Sequence, residues 1–288
     1  MSLAVLAAVA LGGLAIDAAS SSLPAPAGLI VFTGSRDDGD HLFVVGSDGT
    51  GRRQLTSGAG DDALPAWSPG RRRIAFTSTR LSGTVAQKDI FLVDRDGKEL
   101  LPILQTERDE EGPAWAPDGR SIVFSGGSDL YVLTLATNRV RKLAATRSSE
   151  GAPSWSPDGK WIAYARDAEI WLIRPNGKQA HGLGKTGIGT DWAPDWAPDS
   201  QRIAYESTSR TSNSNPATEV WVMGRDGKGK RRLTPYLHRR VAATSPAWSP
   251  RGAQIVFSRG GQLWTMRRDG SHPRQLTRPP GYAFTPDW

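Results

Sequence analysis

A proline, one residue and a tryptophan recur six times along the chain. The phrase is PAWSP at 65–69, PAWAP at 113–117, PSWSP at 153–157, PDWAP at 194–198, PAWSP at 246–250 and PDW at 286–288. Its tryptophans, Trp67, Trp115, Trp155, Trp196, Trp248 and Trp288, are spaced by 48, 40, 41, 52 and 40 residues. A period of about 40–50 residues marks a propeller or a solenoid. One such unit cannot bury its own faces, so the repeats must pack into a single domain.

Each unit reads as four strands. After the tryptophan comes a turn, Pro-Asp-Gly at Pro117 and Pro157, Pro-Asp-Ser at Pro198, Pro-Arg-Gly at Pro250 and Pro-Gly-Arg at Pro69. Proline presets the first turn dihedral and glycine takes the positive φ. A buried strand follows, such as Arg73-Ile-Ala-Phe76 or Arg202-Ile-Ala-Tyr205. The third strand has an aromatic at a fixed place: Phe91, Tyr131, Trp171, Trp221 or Trp264. Asp-Gly or Asn-Gly hairpin signals at Asp96, Asn176, Asp226 and Asp269 lead into a last strand ending Arg-Leu-Thr or similar. No helical period appears after residue 28. Five units are complete. The sixth is split, with its first strand at Phe284 to Trp288 and its other three beginning at Leu29. Joining the ends closes the ring and leaves no open sheet edge. The expectation is an all-β, six-bladed β-propeller over residues 28–288, with four antiparallel strands per blade.

Residues 1–27 read as a signal peptide or N-terminal tail. Leu3 to Ile16 is an unbroken apolar or glycine run, too short to span a bilayer comfortably, and Ala25 and Ala27 stand in the small-x-small relation of a cleavage site. No basic residue precedes the run. Export to the periplasm or the extracellular space is expected, with no transmembrane helix.

The chain has no cysteine, which excludes disulfides, thiolate metal sites and a cysteine nucleophile. Its net charge is +7. Arginine and lysine cluster in the last strand of each unit, at Arg52-Arg53, Arg139/Arg141/Lys142, Arg231-Arg232 and Arg274. That is where charge protects an exposed edge, so no nucleic acid partner is expected. The nucleophile elbow Gly-x-Ser-x-Gly is absent. Gly182-Leu-Gly-Lys-Thr186 lacks the leading glycine of a phosphate loop, since Gln179 occupies that place. His41, His181, His238 and His272 are scattered and read as surface residues.

The unit Pro-x-Trp-Ser-Pro-Asp-Gly, Ile-Ala-Tyr, Glu-Ile-Trp, Asp-Gly, Arg-x-Leu-Thr resembles the repeat of the TolB-type propeller family over residues 28–288. The same repeat builds the propellers of dipeptidyl-peptidase and prolyl-oligopeptidase enzymes. The α/β domain that precedes the propeller in TolB, and the hydrolase domain of those peptidases, are not found here. The resemblance implies an extracytoplasmic scaffold that binds other proteins; TolB's own partners include a peptidoglycan-associated lipoprotein and toxins.

Alternating antiparallel connections divide a propeller into two faces. One carries only tight turns. The other carries the variable stretches Thr33 to Asp40, Thr77 to Lys88 and Ser207 to Thr218, and variable loops on a rigid scaffold are where function concentrates. Three residues before each repeat proline stand Asp62, Glu110, Glu150, Asp191, Ala243 and Ala283. Four successive acids where the chain enters the innermost strand predict an acidic channel mouth, reinforced by Asp61, Asp109 and Glu111. Third strands also begin with acids, Asp89, Asp129, Glu169 and Glu219. Asp62, Glu110, Glu150 and Asp191 are therefore the candidate partner-binding residues. The six tryptophans are assigned to packing between blades. The expected protein is a monomeric, non-catalytic scaffold for a protein or peptide partner, needing no cofactor. The alternative is a propeller hydrolase or lactonase with Ca²⁺ in the channel; no histidine pairs with the acids in the sequence to favour it. A competing role for the acids is to accept loop hydrogen bonds and tie blades together.

Overall fold

The computed structural model describes residues 28–81, 87–144, 146–187, 189–209, 217–235 and 241–288; the N-terminal tail and the centre of the Ser207 to Thr218 stretch lie outside them. Within these residues the chain forms six antiparallel sheets of four strands each. Blades are numbered here from the first complete unit. Their first strands are Asp62–Trp67, Glu110–Trp115, Glu150–Trp155, Thr190–Trp196, Ala243–Trp248 and Tyr282–Asp287. Each of these packs against the first strands of both neighbouring blades, so together they ring the central channel.

Blade 6 joins the two ends of the chain. Tyr282–Asp287 pairs with Leu29–Arg36, which pairs with Gly39–Gly46, which pairs with Arg53–Gln54. Gly34 faces Ala283 and Ser35 faces Tyr282 in the register, and the hydroxyls of Thr33 and Thr285 lie 2.7 Å apart. Part of the stretch read as a variable loop at Thr33 to Asp40 is thus a tight hairpin between paired strands. Likewise Ser207 to Ser209 and Ala217 onward extend the two middle strands of blade 4.

The core is divided among the blade junctions. Buried apolar residues form six clusters; five contain one repeat tryptophan each, and the half-buried Trp155 packs against the sixth. Trp67 sits among Val31, Leu42 and Val44 of blade 6 and Ile74 and Phe76 of blade 1. Trp288 does the same between blades 5 and 6. A buried tryptophan removes about 200 Å² from water, worth on the order of 5 kcal/mol before conformational entropy. Two of the indoles also donate a hydrogen bond across a junction, Trp115 Nε1 to Ala66 O and Trp196 Nε1 to Ser154 O, both at 3.2 Å.

A feature absent from the sequence reading repeats in every first strand. The residue before the repeat proline is left-handed: Leu64, Gly112, Ala152, Ala193, Ser245 and Thr285, with φ between 44° and 59°. Only one of these is glycine. Proline at the next position disfavours the right-handed helical region for its predecessor, and the strand takes up the extra residue as a bulge. The bulge resets the alternation of the strand. The residue three before the proline therefore shares the buried side with the proline and the tryptophan, instead of pointing the opposite way.

On the tight-turn face the blades are fastened alike. Gly97, in the Asp-Gly hairpin of blade 1, has φ +83°, and a Cβ there would stand 2.5 Å from Leu55 O of blade 6. Gly227 and Gly270 meet Leu183 O and Leu233 O of their neighbours in the same way. The outer-strand arginines cap these turns. Arg53 Nη2 donates to Arg95 O at 2.7 Å, Arg141 Nη2 to Pro175 O at 2.6 Å and Arg231 Nη1 to Asp269 O at 2.9 Å. The basic outer strands are thus inter-blade fasteners as well as charged edges.

Candidate binding face

The bulge decides where the four candidate acids go. Asp62, Glu110, Glu150 and Asp191 stand at the loop-face ends of the first strands of blades 1 to 4, each at most 2% exposed. They lie inside the blade junctions rather than on the rim of the channel. Asp62 accepts from Ser78 Oγ at 2.7 Å and from Arg80 Nε at 2.8 Å, and Arg80 Nη2 makes a second bond. Glu110 accepts from the Thr106 hydroxyl, Glu150 from Thr146 Oγ1 at 2.9 Å, and Asp191 from the Thr186 amide at 3.0 Å. Those threonines end the preceding blade, so Glu110, Glu150 and Asp191 each pin the chain that crosses from one blade to the next, whereas Asp62 holds Arg80 of its own blade, which in turn donates to Ser57 O of the crossing chain at 2.6 Å. Thr56, Thr234 and Thr277, each directly after its outer-strand leucine, instead accept from Leu42 N, Val220 N and Leu263 N of their own blades.

His41 is fully buried, not a surface residue. Its Nδ1 is 3.8 Å from Asp62 Oδ2 and its Nε2 is 3.4 Å from Asp38 Oδ2. A histidine does stand beside one of the acids, then, though far apart in sequence. The long-range pairing of blade 6 with blade 1 brings them together, which spacing alone does not reveal. His181 and His272 are exposed, and His238 lies outside the described residues.

Not every carboxylate oxygen is partnered. Glu110 Oε2, Glu150 Oε2 and Asp89 Oδ1 are buried without a hydrogen bond. Burial, aided by Asp89, pushes the Glu110 carboxyl up to about 7. Burial and Asp109 push Asp89 up to about 6, and burial raises Glu150. The other third-strand acids turn toward their own outer strands. Asp129 meets Lys142 at 2.8 Å, Glu219 meets Arg232 at 3.3 Å, and Glu169 accepts from Gly184 N. Among the described residues, no group of three or more histidines, aspartates or glutamates is placed to hold a metal ion.

A second pair of acids lies toward the tight-turn end of the channel. Asp195 and Asp287 occupy the middle position of the two Pro-Asp-Trp phrases. Asp195 Oδ2 accepts from Trp248 N at 2.7 Å, and Asp287 Oδ2 from Trp67 N at 2.6 Å. Each keeps a little accessible surface yet is enclosed by protein. Desolvation and the charge of Asp287 push Asp195 up to about 8, and desolvation raises Asp287. The phrase itself was the available signal, since the other blades have alanine or serine there.

What remains open to a partner on the loop face is a mixture. Asp61 and Asp109 are exposed and Glu111 partly so, with Lys88 Nζ 2.6 Å from Glu111. Trp192 and Val241 are each 38% exposed and Tyr282 is 64% exposed.

A split closure blade, six Pro-x-Trp junctions and bulged first strands set the frame for comparison. The family model described as the TolB beta propeller domain matches residues 82–234. The chain belongs to the TolB β-propeller domain family. TolB from Acinetobacter baumannii superposes with a TM-score of 0.74 at 22% identity, over 93% of this chain and 68% of that one. A putative TolB from Agrobacterium tumefaciens gives 0.59 at 19% identity, over 78% and 87%. An oligogalacturonate lyase in complex with manganese gives 0.60 at 16% identity, over 88% and 74%. At these identities the likeness is one of fold. No protein of curated function matches the chain. No helix among the described residues of this TolB-type propeller is long and apolar enough to cross a membrane.

Proposed function

We propose that this TolB-type propeller is an exported, non-catalytic scaffold that binds a protein or peptide through its loop face. One observation carries the reading. The tight-turn face repeats the same fastening from blade to blade, whereas exposed aromatic, apolar and acidic side chains that differ from blade to blade gather on the opposite face. Trp192, Val241 and Tyr282 stand exposed there, and the exposed Asp61 and Asp109 each use one carboxylate oxygen to accept from the backbone of the preceding blade, Asp40 N and Lys88 N, both at 3.0 Å, leaving the other toward solvent. Variable side chains on a rigid frame are the usual place for recognition.

Asp62, Glu110, Glu150 and Asp191 act in this reading by shaping the mouth, and the exposed acids beside them make the contacts. The kinship with TolB supports an extracytoplasmic setting, as does the apolar run Leu3 to Ile16. The manganese-bound lyase keeps an enzyme in view as a second reading for the fold; among the described residues of this chain no group of three or more histidines, aspartates or glutamates is placed to hold a metal ion. The test uses three baits in envelope extract: the native chain, a triple variant Asp61→Asn, Asp109→Asn, Glu111→Gln, and a quadruple variant turning the four buried acids into amides. Loss of the same partner from the triple variant is expected. Equal recovery by all three baits discards the acidic-face reading. Fractionation of cells checks export.

A further inference from the structure

The loop face has a second sector, and its chemistry is opposite. Over blades 5 and 6 the junction positions carry Ala243 and Ala283 in place of acids. Two cavities, of about 660 and 610 Å³, run from this face along the outer flank of blades 5 and 6, on either side of the segment that leads into Tyr282. Both are lined by Gly281 and Tyr282, so the tyrosine stands as a ridge between them.

The first cavity is lined by Arg36, Arg52 and Arg53 over Phe43. Arg53 is occupied with the blade 1 turn. Arg36 and Arg52 are held by aromatic faces instead of carboxylates: their guanidinium carbons lie 4.9 and 5.0 Å from the Phe43 centroid. Among the described residues neither makes an ion pair, and Arg52 Nε is buried with no acceptor. Burial and the neighbouring Arg36 both lower the Arg52 pKa, the mark of a cation short of counter-charge. Asp37 is the one acid in the lining and forms no ion pair either. In the second cavity Arg259 lies 5.1 Å from the Trp264 centroid and is likewise without a carboxylate partner.

We propose that this groove binds an extended acidic segment of a protein partner. Its carboxylates meet Arg36 and Arg52 on one side of Tyr282 and Arg259 on the other, and an apolar side chain between them rests on the tyrosine ring. A guanidinium already stacked on an aromatic ring is oriented and only weakly hydrated, so little is lost when it takes a carboxylate. Two cavities divided by one ring favour a chain that crosses the ridge over a compact anion that fills one side. The proposal rests on the binding role above, but it uses the sector of the face that the acids do not reach.

The test is fluorescence anisotropy with a labelled peptide alternating glutamate and leucine, and a lysine–leucine peptide as control. The native chain is expected to bind the glutamate peptide, more weakly as salt rises. Arg36→Ala with Arg52→Ala should weaken it about tenfold, equivalent to about 1.4 kcal/mol, and Tyr282→Ala should weaken it as well. Thermal melting establishes that each variant is folded. Arg259→Glu, at a partly exposed position, gives an independent reading should the double variant fail to fold. Unchanged affinity in folded variants overturns the proposal. So does equal or tighter binding of the lysine peptide, or tighter binding of a uronate polymer, which would make the groove a sugar site. Failure here leaves partner capture through Asp61, Asp109 and Glu111 intact, so the two readings fail separately.

Discussion

The two faces of the ring treat the repeat differently. On the tight-turn face the hairpin glycines of blades 1, 4 and 5 press on the neighbouring outer strand, and an arginine caps most of these turns. On the loop face blades 1 to 4 bury a carboxylate at the junction and blades 5 and 6 bury an alanine; Arg166 stacks on Trp171 and also pairs with Asp167, whereas Arg36 and Arg259 stack on aromatics with no carboxylate partner among the described residues. Uniform positions are those that every junction needs. Positions that vary between blades are released from that duty, and the sector without junction acids is where two cavities open.

The largest expected effect comes from breaking a loop-face junction. Asp62 and Arg80 form a buried pair, with Arg80 only 12% exposed. Asp62→Ala strands the guanidinium inside the blade 6 to blade 1 junction and should cost about 3–5 kcal/mol in urea unfolding. Ala283→Val, at the corresponding alanine, is expected to cost less. Equal losses would mean that the acid has no special role in the junction. On the tight-turn face, Gly97→Ala forces a Cβ against Leu55 O at a positive φ and should cost about 1–3 kcal/mol. A loss as large as that of Asp62→Ala would make the turn face the weaker seam.

Much of this was legible in the sequence. Blade number, the split sixth blade and the four strands per unit follow from the Pro-x-Trp spacing and the turn signals, because they are local and repeated. The site was less legible. Simple alternation sets Asp62 and Pro65 on opposite sides of a strand, but a left-handed Leu64 places them on the same side. Of the two roles the sequence leaves open for these acids, channel mouth and tie between blades, their burial and hydrogen bonds agree with the tie. His41 meets Asp62 only through the packing of blade 6 on blade 1, and Arg36 and Arg52 reach Tyr282 only through ring closure, so no spacing rule reaches them.

The raised carboxyls give the comparison a pH axis. Asp195 is pushed up to about 8 and Glu110 to about 7, both above their unfolded values. Between the unfolded and the folded pKa the native state holds a proton that the unfolded chain has released. Stability from these groups is therefore present at acid pH and falls as pH rises toward about 8. Asp195→Asn keeps an oxygen for Trp248 N and removes the titration. It should raise the melting temperature by a few degrees at pH 8, with no gain at pH 4. Glu110→Gln should do the same over a window ending near pH 7. A gain independent of pH in either variant would mean that the carboxyl is not holding a proton in the fold.

The smallest effect belongs to a single fastener. Arg53 Nη2 donates to Arg95 O, and its ion pair with Asp96 is long, at 3.7 Å, and largely exposed. Arg53→Ala should cost about 0.5–1.5 kcal/mol, the range of one hydrogen bond to a backbone carbonyl. Arg53→Lys should recover little of it, because the bond needs a guanidinium's reach and direction more than its charge. High salt should leave the loss unchanged, since charge screening acts mainly on the weak Asp96 contact. If salt abolished the difference between native and variant, the outer-strand arginines would be acting as charged edges and not as fasteners. The uniformity of the turn face would then have to be credited to its glycines alone.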